Sequence, residues 1–254
     1  MFPEIRILNI FIPLYPVCVS TGFLIGTLTA MNLGKKIGYS ENQTFHLWCW
    51  IESGVIIGGK IMFLLINSKN LSRIFRTFGI VGVVTRTGYV FYGGLIGGFI
   101  AVFLFSQKNR YSFVNNLSFA LLVTPLIHSF GRIGCFCAGC CYGKEWNGNY
   151  AVFIHGAERF PVQIVESGAD LLLFLLLLIF FLHDITKKNL IISIYLIGYG
   201  LIRCFSEFFR GDISRGYIGV MSISSWISIL IIFIGLFSIK FLNKRTDNER
   251  DKNQ

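Results

Sequence analysis

Seven apolar runs of about 20 residues decide what this chain can fold into. They fall near residues 11–33, 45–66, 88–106, 114–130, 164–183, 190–209 and 217–240. Segments of that length in hydrocarbon find no water for their backbone amides, so each must close its own hydrogen bonds as a helix. Only 14% of the residues are charged and 54% are hydrophobic, whereas a soluble surface takes roughly 25% charged residues. The fold class read from this is an all-α integral membrane protein with about seven transmembrane helices. They form a single polytopic domain over residues 1–243, followed by a charged cytoplasmic tail over 244–254. The first run lacks a basic leader and an Ala-x-Ala-like site, so it is expected to stay as a helix. Residues 67–87, with Lys69, Arg73, Arg76 and Arg86, are too polar to span and read as an interfacial amphipathic piece or a loop.

The net charge of +10 points, in a membrane chain, to anionic lipid rather than nucleic acid. Orientation is read from lysine and arginine in short loops. Lys35, Lys36, Lys108, Arg110, Lys187, Lys188 and the basic tail fall on one face, which is then cytoplasmic. Arg76, Arg86, Arg132, Arg159, Arg210 and Arg215 fall on the other, where arginines that bind phosphate stand apart from the topology signal. The amino terminus is therefore expected outside and the carboxyl terminus inside.

One stretch between two spans is too polar and too rich in glycine to be a span: Gly131-Arg132-Ile133-Gly134-Cys135-Phe136-Cys137-Ala138-Gly139-Cys140-Cys141-Tyr142-Gly143. It reads as a glycine- and cysteine-rich loop at the outer face. Gly131 and Gly134 would let the backbone approach a ligand, and the planar fork of Arg132 suits phosphate oxygens. The cysteines leave three readings open: thiolate ligands for zinc or a cluster, disulfides on an oxidising face, or packing thiols. Cys18, Cys49 and Cys204 sit in apolar runs as small hydrophobes.

Other ionisable residues fall where a membrane makes them costly. Arg203, Glu207 and Arg210 share one helical face, with Glu207 at i+4 from Arg203. Lys60 and Glu52 stand eight residues apart in the second run, and Gln163 and Glu166 open the fifth. Gly93, Gly94, Gly97 and Gly98 repeat at four-residue spacing, which suits close helix packing. Tyr92 precedes them, a poor base at neutral pH with its ordinary pKa near 10. His46, His128 and His155 fit no metal-ligand spacing.

Taken in order, these pieces resemble the prolipoprotein diacylglyceryl transferase family. They are Tyr92-Gly93-Gly94-Leu95-Ile96-Gly97-Gly98, Gly131-Arg132-Ile133-Gly134, Arg159-Phe160-Pro161-Val162-Gln163-Ile164-Val165-Glu166-Ser167, and the Arg203, Glu207, Arg210 spacing. The resemblance runs from about Tyr15 to about Trp226. It implies a bacterial inner-membrane enzyme that moves a diacylglyceryl group from phosphatidylglycerol to the lipobox cysteine of a prolipoprotein, releasing glycerol phosphate. The partners implied are phosphatidylglycerol, prolipoprotein signal peptides and membrane lipid, with the chain acting as a monomer and without a metal, ATP or redox cofactor. Arg132 and Arg210 would hold the phosphate, Arg203 and Glu207 would fix the cavity, and Glu166 and Tyr92 are candidates for deprotonating the acceptor. Gly93, Gly94, Gly97, Gly98, Gly131, Gly134, Lys60, Gln163 and Glu166 would line the substrate site. Gly58-Gly59-Lys60 carries lysine where the family has arginine. Cys135 stands at the family's asparagine and Cys140 at its glutamate. Two alternatives stay open: a related lipid-modifying enzyme with another acceptor, and a non-enzymatic metal or thiol protein built on the cysteine loop.

Overall fold

A computed structural model describes residues 4–7, 10–86, 88–212 and 216–251. The long elements are helices: α1 (Leu14–Gly34), α2 (Glu41–Ile66), α3 (Leu71–Arg86), α4 (Phe91–Asn109), α5 (Phe113–Ala138), α6 (Val162–His183), α7 (Ile191–Phe209) and α8 (Ile223–Asp251). Three two-stranded antiparallel hairpins cap them: β1 (Glu4–Ile7) with β2 (Ile10–Pro13), β3 (Val152–Ile154) with β4 (Ala157–Arg159), and β5 (Tyr217–Ile218) with β6 (Met221–Ser222).

Among the described residues, α1, α2, α4, α5, α6 and α7 are long and apolar enough to cross a membrane. The seventh expected span is shorter than its sequence suggests. Residues 217–222 are taken by the β5–β6 hairpin, so the apolar part of α8 is Ile223–Ile239. Beyond it the charged stretch continues the helix through Asp251. The segment at 67–87 forms α3, kinked where Gly79 takes φ 63°, a backbone conformation that glycine reaches without steric cost. Arg215 lies outside the described residues.

The chain forms two compact units. In the unit of residues 34–117, α2 and α4 pack backbone to backbone. A Cβ on Gly97 would strike the Gly54 carbonyl, and one on Gly93 would meet the Gly58 carbonyl at 2.5 Å. Small residues at four-residue spacing allow this approach, which suits helices with no hydrophobic drive between them in lipid. Ser40 caps α2 by accepting from the Gln43 amide at 3.1 Å, and Tyr39 donates to Asn116 Oδ1 at 2.7 Å.

The other unit joins residues 1–33 and 118–254. Here Gly22 and Gly26 of α1 face Phe130 and Ile127 of α5. The Ser167 hydroxyl of α6 donates to the Ser129 carbonyl of α5 at 2.8 Å. Helices α7 and α8 meet at Gly200 and Gly235, and Ser193 bonds Ser238 at 2.7 Å. Buried Leu122, Val123, Leu177 and Ile191 fill this unit's interior, while outward leucines and phenylalanines such as Leu172, Leu176, Phe205 and Phe233 are exposed as a lipid-facing surface requires.

Candidate functional site

Helix α5 runs on through Ala138 instead of ending at 130. Arg132 is therefore a helical residue and the loop shrinks to residues 139–143. Glycine is tolerated in that last stretch for a packing reason at Gly134, where an added Cβ would lie within 3.3 Å of Tyr15 and Cys18 of α1. Gly131 has open space beside it, so of the two glycines only this one leaves the backbone uncovered.

Three arginines converge where α5 and α7 end and α6 begins. Pro161 starts α6 and sets Gln163 and Glu166 in its first turns, both almost fully buried. Glu166 Oε1 accepts from Arg132 Nη2 at 2.9 Å and from Arg203 Nη1 at 2.6 Å. Arg203 also reaches Glu207 Oε2 at 3.3 Å, the i,i+4 pair expected along α7, and Ser206 Oγ at 3.3 Å. Arg210, just past α7, holds Asp212 in a fork: Nε to Oδ1 at 3.0 Å and Nη2 to Oδ2 at 2.6 Å. Burial works against the Arg210 charge, but its bonds to Asp212 and the nearby Cys141 hold its pKa above the usual arginine value. Burying charges like these is unfavourable unless each is paired, and removing one partner of such a pair costs about 3–5 kcal/mol. The side chain of Arg132 keeps 16% exposure against 8% for Arg203 and for Arg210, which makes it the cation best placed to meet a ligand.

The loop after α5 is pinned from several sides. Gly139 and Cys141 take φ 69° and 55°, and for the cysteine that left-handed conformation is strained. Gln163 donates to the Cys140 carbonyl at 2.8 Å, and the His155 ring nitrogen contacts the Gly139 carbonyl at 2.8 Å. The Gly211 amide donates to the Tyr142 carbonyl at 3.0 Å and the Lys144 amide to the Phe209 carbonyl at 2.8 Å. Arg159 lies over the Tyr142 ring at 4.6 Å and donates to the Gly143 carbonyl. Gln163 thus positions the loop, while its own Oε1 is buried with no partner among the described residues.

The four cysteines separate. Cys135, Cys140 and Cys141 bring their sulfurs within 4.8 Å of one another, while Cys137 turns toward Cys18 of α1. Hydrogen bonds from Cys135 and Cys140 hold the Cys141 thiol well below the usual thiol range, with Arg210 and Arg132 acting in the same direction against burial. For Cys140 the bond to Cys135 lowers the pKa. Its bond to Cys141 and burial outweigh that and push it up to about 11.

The remaining expected residues sit in the 34–117 unit. Tyr92, half-buried, opens α4 and touches Phe91. Gly94 faces the Tyr89 hydroxyl and Gly98 the Val55 side chain. Burial raises the Tyr89 pKa to about 12, and its hydroxyl donates to the Val55 carbonyl at 2.9 Å. Lys60 donates to the carbonyls of Val83 and Gly88 at 3.4 and 3.3 Å. A cavity of about 720 Å³ opens beside the Gly54, Gly58, Gly93 and Gly97 seam, walled by Ile57, Ile61, Leu65, Ile96, Ile100 and Leu104. Its walls suit hydrocarbon, while the paired charges belong to the other unit.

Two acidic residues escaped the sequence reading. Asp212 follows Arg210 by two positions, and the Arg-x-Asp spacing next to a cationic helix end was the available signal. Asp170 lies one turn after Glu166 on α6, fully buried, with neither oxygen partnered among the described residues.

The fold and site define a class: a multi-pass membrane protein whose intramembrane charges gather at one end of a helical unit, beside a strained, thiol-rich loop. The model of the prolipoprotein diacylglyceryl transferase family matches residues 4–241, and the chain belongs to that family. It is 35% identical over 249 residues to phosphatidylglycerol–prolipoprotein diacylglyceryl transferase 2 of Clostridium perfringens, covering 92% of this chain and 93% of that one. The transferase of that name from Clostridium tetani is 33% identical over 233 residues, with 88% and 90% covered. That of Finegoldia magna is 30% identical over 232 residues, with 89% and 90% covered.

Proposed function

We propose that this chain is a phosphatidylglycerol–prolipoprotein diacylglyceryl transferase of the bacterial inner membrane, acting as a monomer with its amino terminus outside and its carboxyl terminus cytoplasmic. It joins the diacylglyceryl group of phosphatidylglycerol to the lipobox cysteine of a prolipoprotein. The acceptor thiol loses its proton, and the sulfur attacks the glyceryl carbon that carries the phosphate ester. As the S–C bond forms, the C–O bond breaks and its electron pair leaves on the phosphate of glycerol phosphate. The charge that develops there calls for fixed cations in a water-poor site.

The observation that carries this reading is the arginine cluster: Arg132 and Arg203 on one Glu166 oxygen, with Arg210 forked on Asp212. Arg132 and Arg210 take the lipid phosphate through charge-assisted hydrogen bonds to its oxygens. Arg203, braced by Glu166 and Glu207, holds the cluster in register. Glu166 Oε1 is engaged by two guanidinium groups, so its role here is positioning rather than proton removal. Gln163 sets the loop, and Gly131 leaves room for the headgroup beside Arg132. In the other unit, the apolar cavity along Gly93 and Gly97 suits hydrocarbon, while Gly94 packs on Tyr89, Gly98 on Val55 and Lys60 on the Val83 and Gly88 carbonyls, outside its lining.

The test is complementation of a bacterium depleted of its own transferase. Restored growth and lipoprotein modification by the wild type, lost with Arg132→Gln at equal membrane insertion, are the expected outcome. Inserted wild-type protein that leaves prolipoproteins unmodified would refute the reading.

A further inference from the structure

The thiol cluster at the end of α5 answers to a chemistry that the arginines do not cover. Cys135, Cys140 and Cys141 converge to within 4.8 Å. Three sulfurs bound to one zinc ion at about 2.3 Å stand roughly 4 Å apart, so a shift of under about 1 Å would close the set. The backbone is built to hold that convergence. The Cys140 amide donates to the Cys135 carbonyl at 3.1 Å, Gln163 grips the Cys140 carbonyl, and Cys141 keeps its strained φ of 55° between them. Cys137, two residues from Cys135 in sequence, takes no part and turns to Cys18.

We infer that Cys135, Cys140 and Cys141 bind one zinc ion through three thiolates, leaving a fourth position open for the acceptor's cysteine thiol. Three protein ligands and an open position are the arrangement of a catalytic rather than a structural zinc site. Cys140 is exposed while Cys135 and Cys141 are partly covered, so the open position is reachable from solvent. Three thiolates and a zinc ion sum to one negative charge. The inference rests on the transferase reading for its acceptor and supplies what that reading lacks, a means of deprotonating the thiol. A thiol that coordinates zinc is deprotonated outright, its proton passing to water. The bound sulfur then keeps an electron pair for the glyceryl carbon, and no electron is exchanged with the metal. The thioether product is a neutral, weaker ligand and departs.

The experiment uses the full chain purified in detergent with phosphatidylglycerol, reduced, stripped with a chelator and titrated with zinc alone or with cobalt as a spectroscopic stand-in. The expected result is one zinc per chain and cobalt absorption of the thiolate charge-transfer type. Adding a lipobox peptide should shift that absorption, and its Cys→Ser form should not. Cys135→Ser, Cys140→Ser and Cys141→Ser should each weaken zinc binding at least tenfold, while Cys137→Ser should bind as the wild type does. Stripping should abolish transfer, and zinc should restore it. Three results would overturn the inference: no zinc uptake by the reduced wild type, undiminished uptake by the three-cysteine variant, or full transfer by the metal-free chain. A disulfide between two of the three that persists in zinc-loaded active protein would do the same. Zinc-loaded protein that shifts its spectrum with the peptide yet transfers nothing would instead refute the transferase reading and leave the metal site standing.

Discussion

Replacing Glu166 by glutamine tests the arginine cluster at its centre. Its Oε1 takes Arg132 at 2.9 Å and Arg203 at 2.6 Å, and the side chain is 2% exposed. A hydrogen bond between charged groups contributes about 1.5–3 kcal/mol and a neutral one about 0.5–1.5 kcal/mol. An amide oxygen keeps the shape of the acceptor but not its charge, so each of the two bonds should weaken by roughly 1–1.5 kcal/mol. Glu166→Gln should therefore cost on the order of 2–3 kcal/mol. Glu166→Ala, which removes the carboxylate shared by two guanidinium groups, should cost about 3–5 kcal/mol. The assay is denaturant unfolding of the purified protein in lipid-containing micelles, paired with a transfer rate at a temperature where both variants stay folded. The folded fraction should also transfer slowly, because Arg132 loses the contact that aims it. Glu166→Gln with wild-type stability and rate would refute the claim that this carboxylate organises the site.

Three further outcomes follow from the same geometry. Asp212→Ala should free Arg210 from its fork and lower kcat/KM roughly tenfold or more, the equivalent of one charge-assisted bond. Asp212→Asn should lose less, and equal losses would contradict the forked-pair reading. Burial, with Tyr111 acting in the same direction, raises the Tyr39 pKa from 10.0 to about 12. The unfolded chain then releases this proton first, so the tyrosine's contribution is full below pH 10 and is lost as pH rises toward about 12. Alkaline unfolding of the wild type should accordingly be steeper in that window than that of Tyr39→Phe, and matching curves would refute the assignment. Cysteines introduced by Lys36→Cys, Lys108→Cys, Lys188→Cys and Asn248→Cys should react with thiol reagents only from the cytoplasmic side, and external labelling at two of the four would overturn the topology.

The helical layout was legible because apolar length is a one-dimensional property. The runs at 45–66, 164–183 and 190–209 became α2, α6 and α7 almost residue for residue. Ends were less legible. Hydropathy stops at Phe130, but α5 continues because its polar last turns are covered by α1 at Gly134 and by Glu166 of α6 at Arg132, contacts that hydropathy along one segment does not record. The last span was overestimated because residues 217–222 are apolar yet form a hairpin. In the site, the i,i+4 pair Arg203–Glu207 could be read along one helix, whereas the Glu166 hub joins three helices and had no local signature. The four neighbouring cysteines read as one group. Only the helical turn that puts Cys135 and Cys137 on different faces separates them.

The central claim is that this chain moves a diacylglyceryl group to a thiol with Arg132 on the lipid phosphate. Its most direct test is transfer from glyceryl-labelled phosphatidylglycerol to a synthetic lipobox peptide, following the peptide's gain of diacylglyceryl and the release of glycerol phosphate together. The wild type should form both products in equal amounts. Arg132→Gln, losing a bidentate charged pair of about 3–5 kcal/mol in all, should be slower by a few hundredfold or more, and Arg132→Lys should also fall because it keeps the charge without the fork. Near wild-type rates for Arg132→Gln would contradict the account and make this arginine an anchor at the membrane surface.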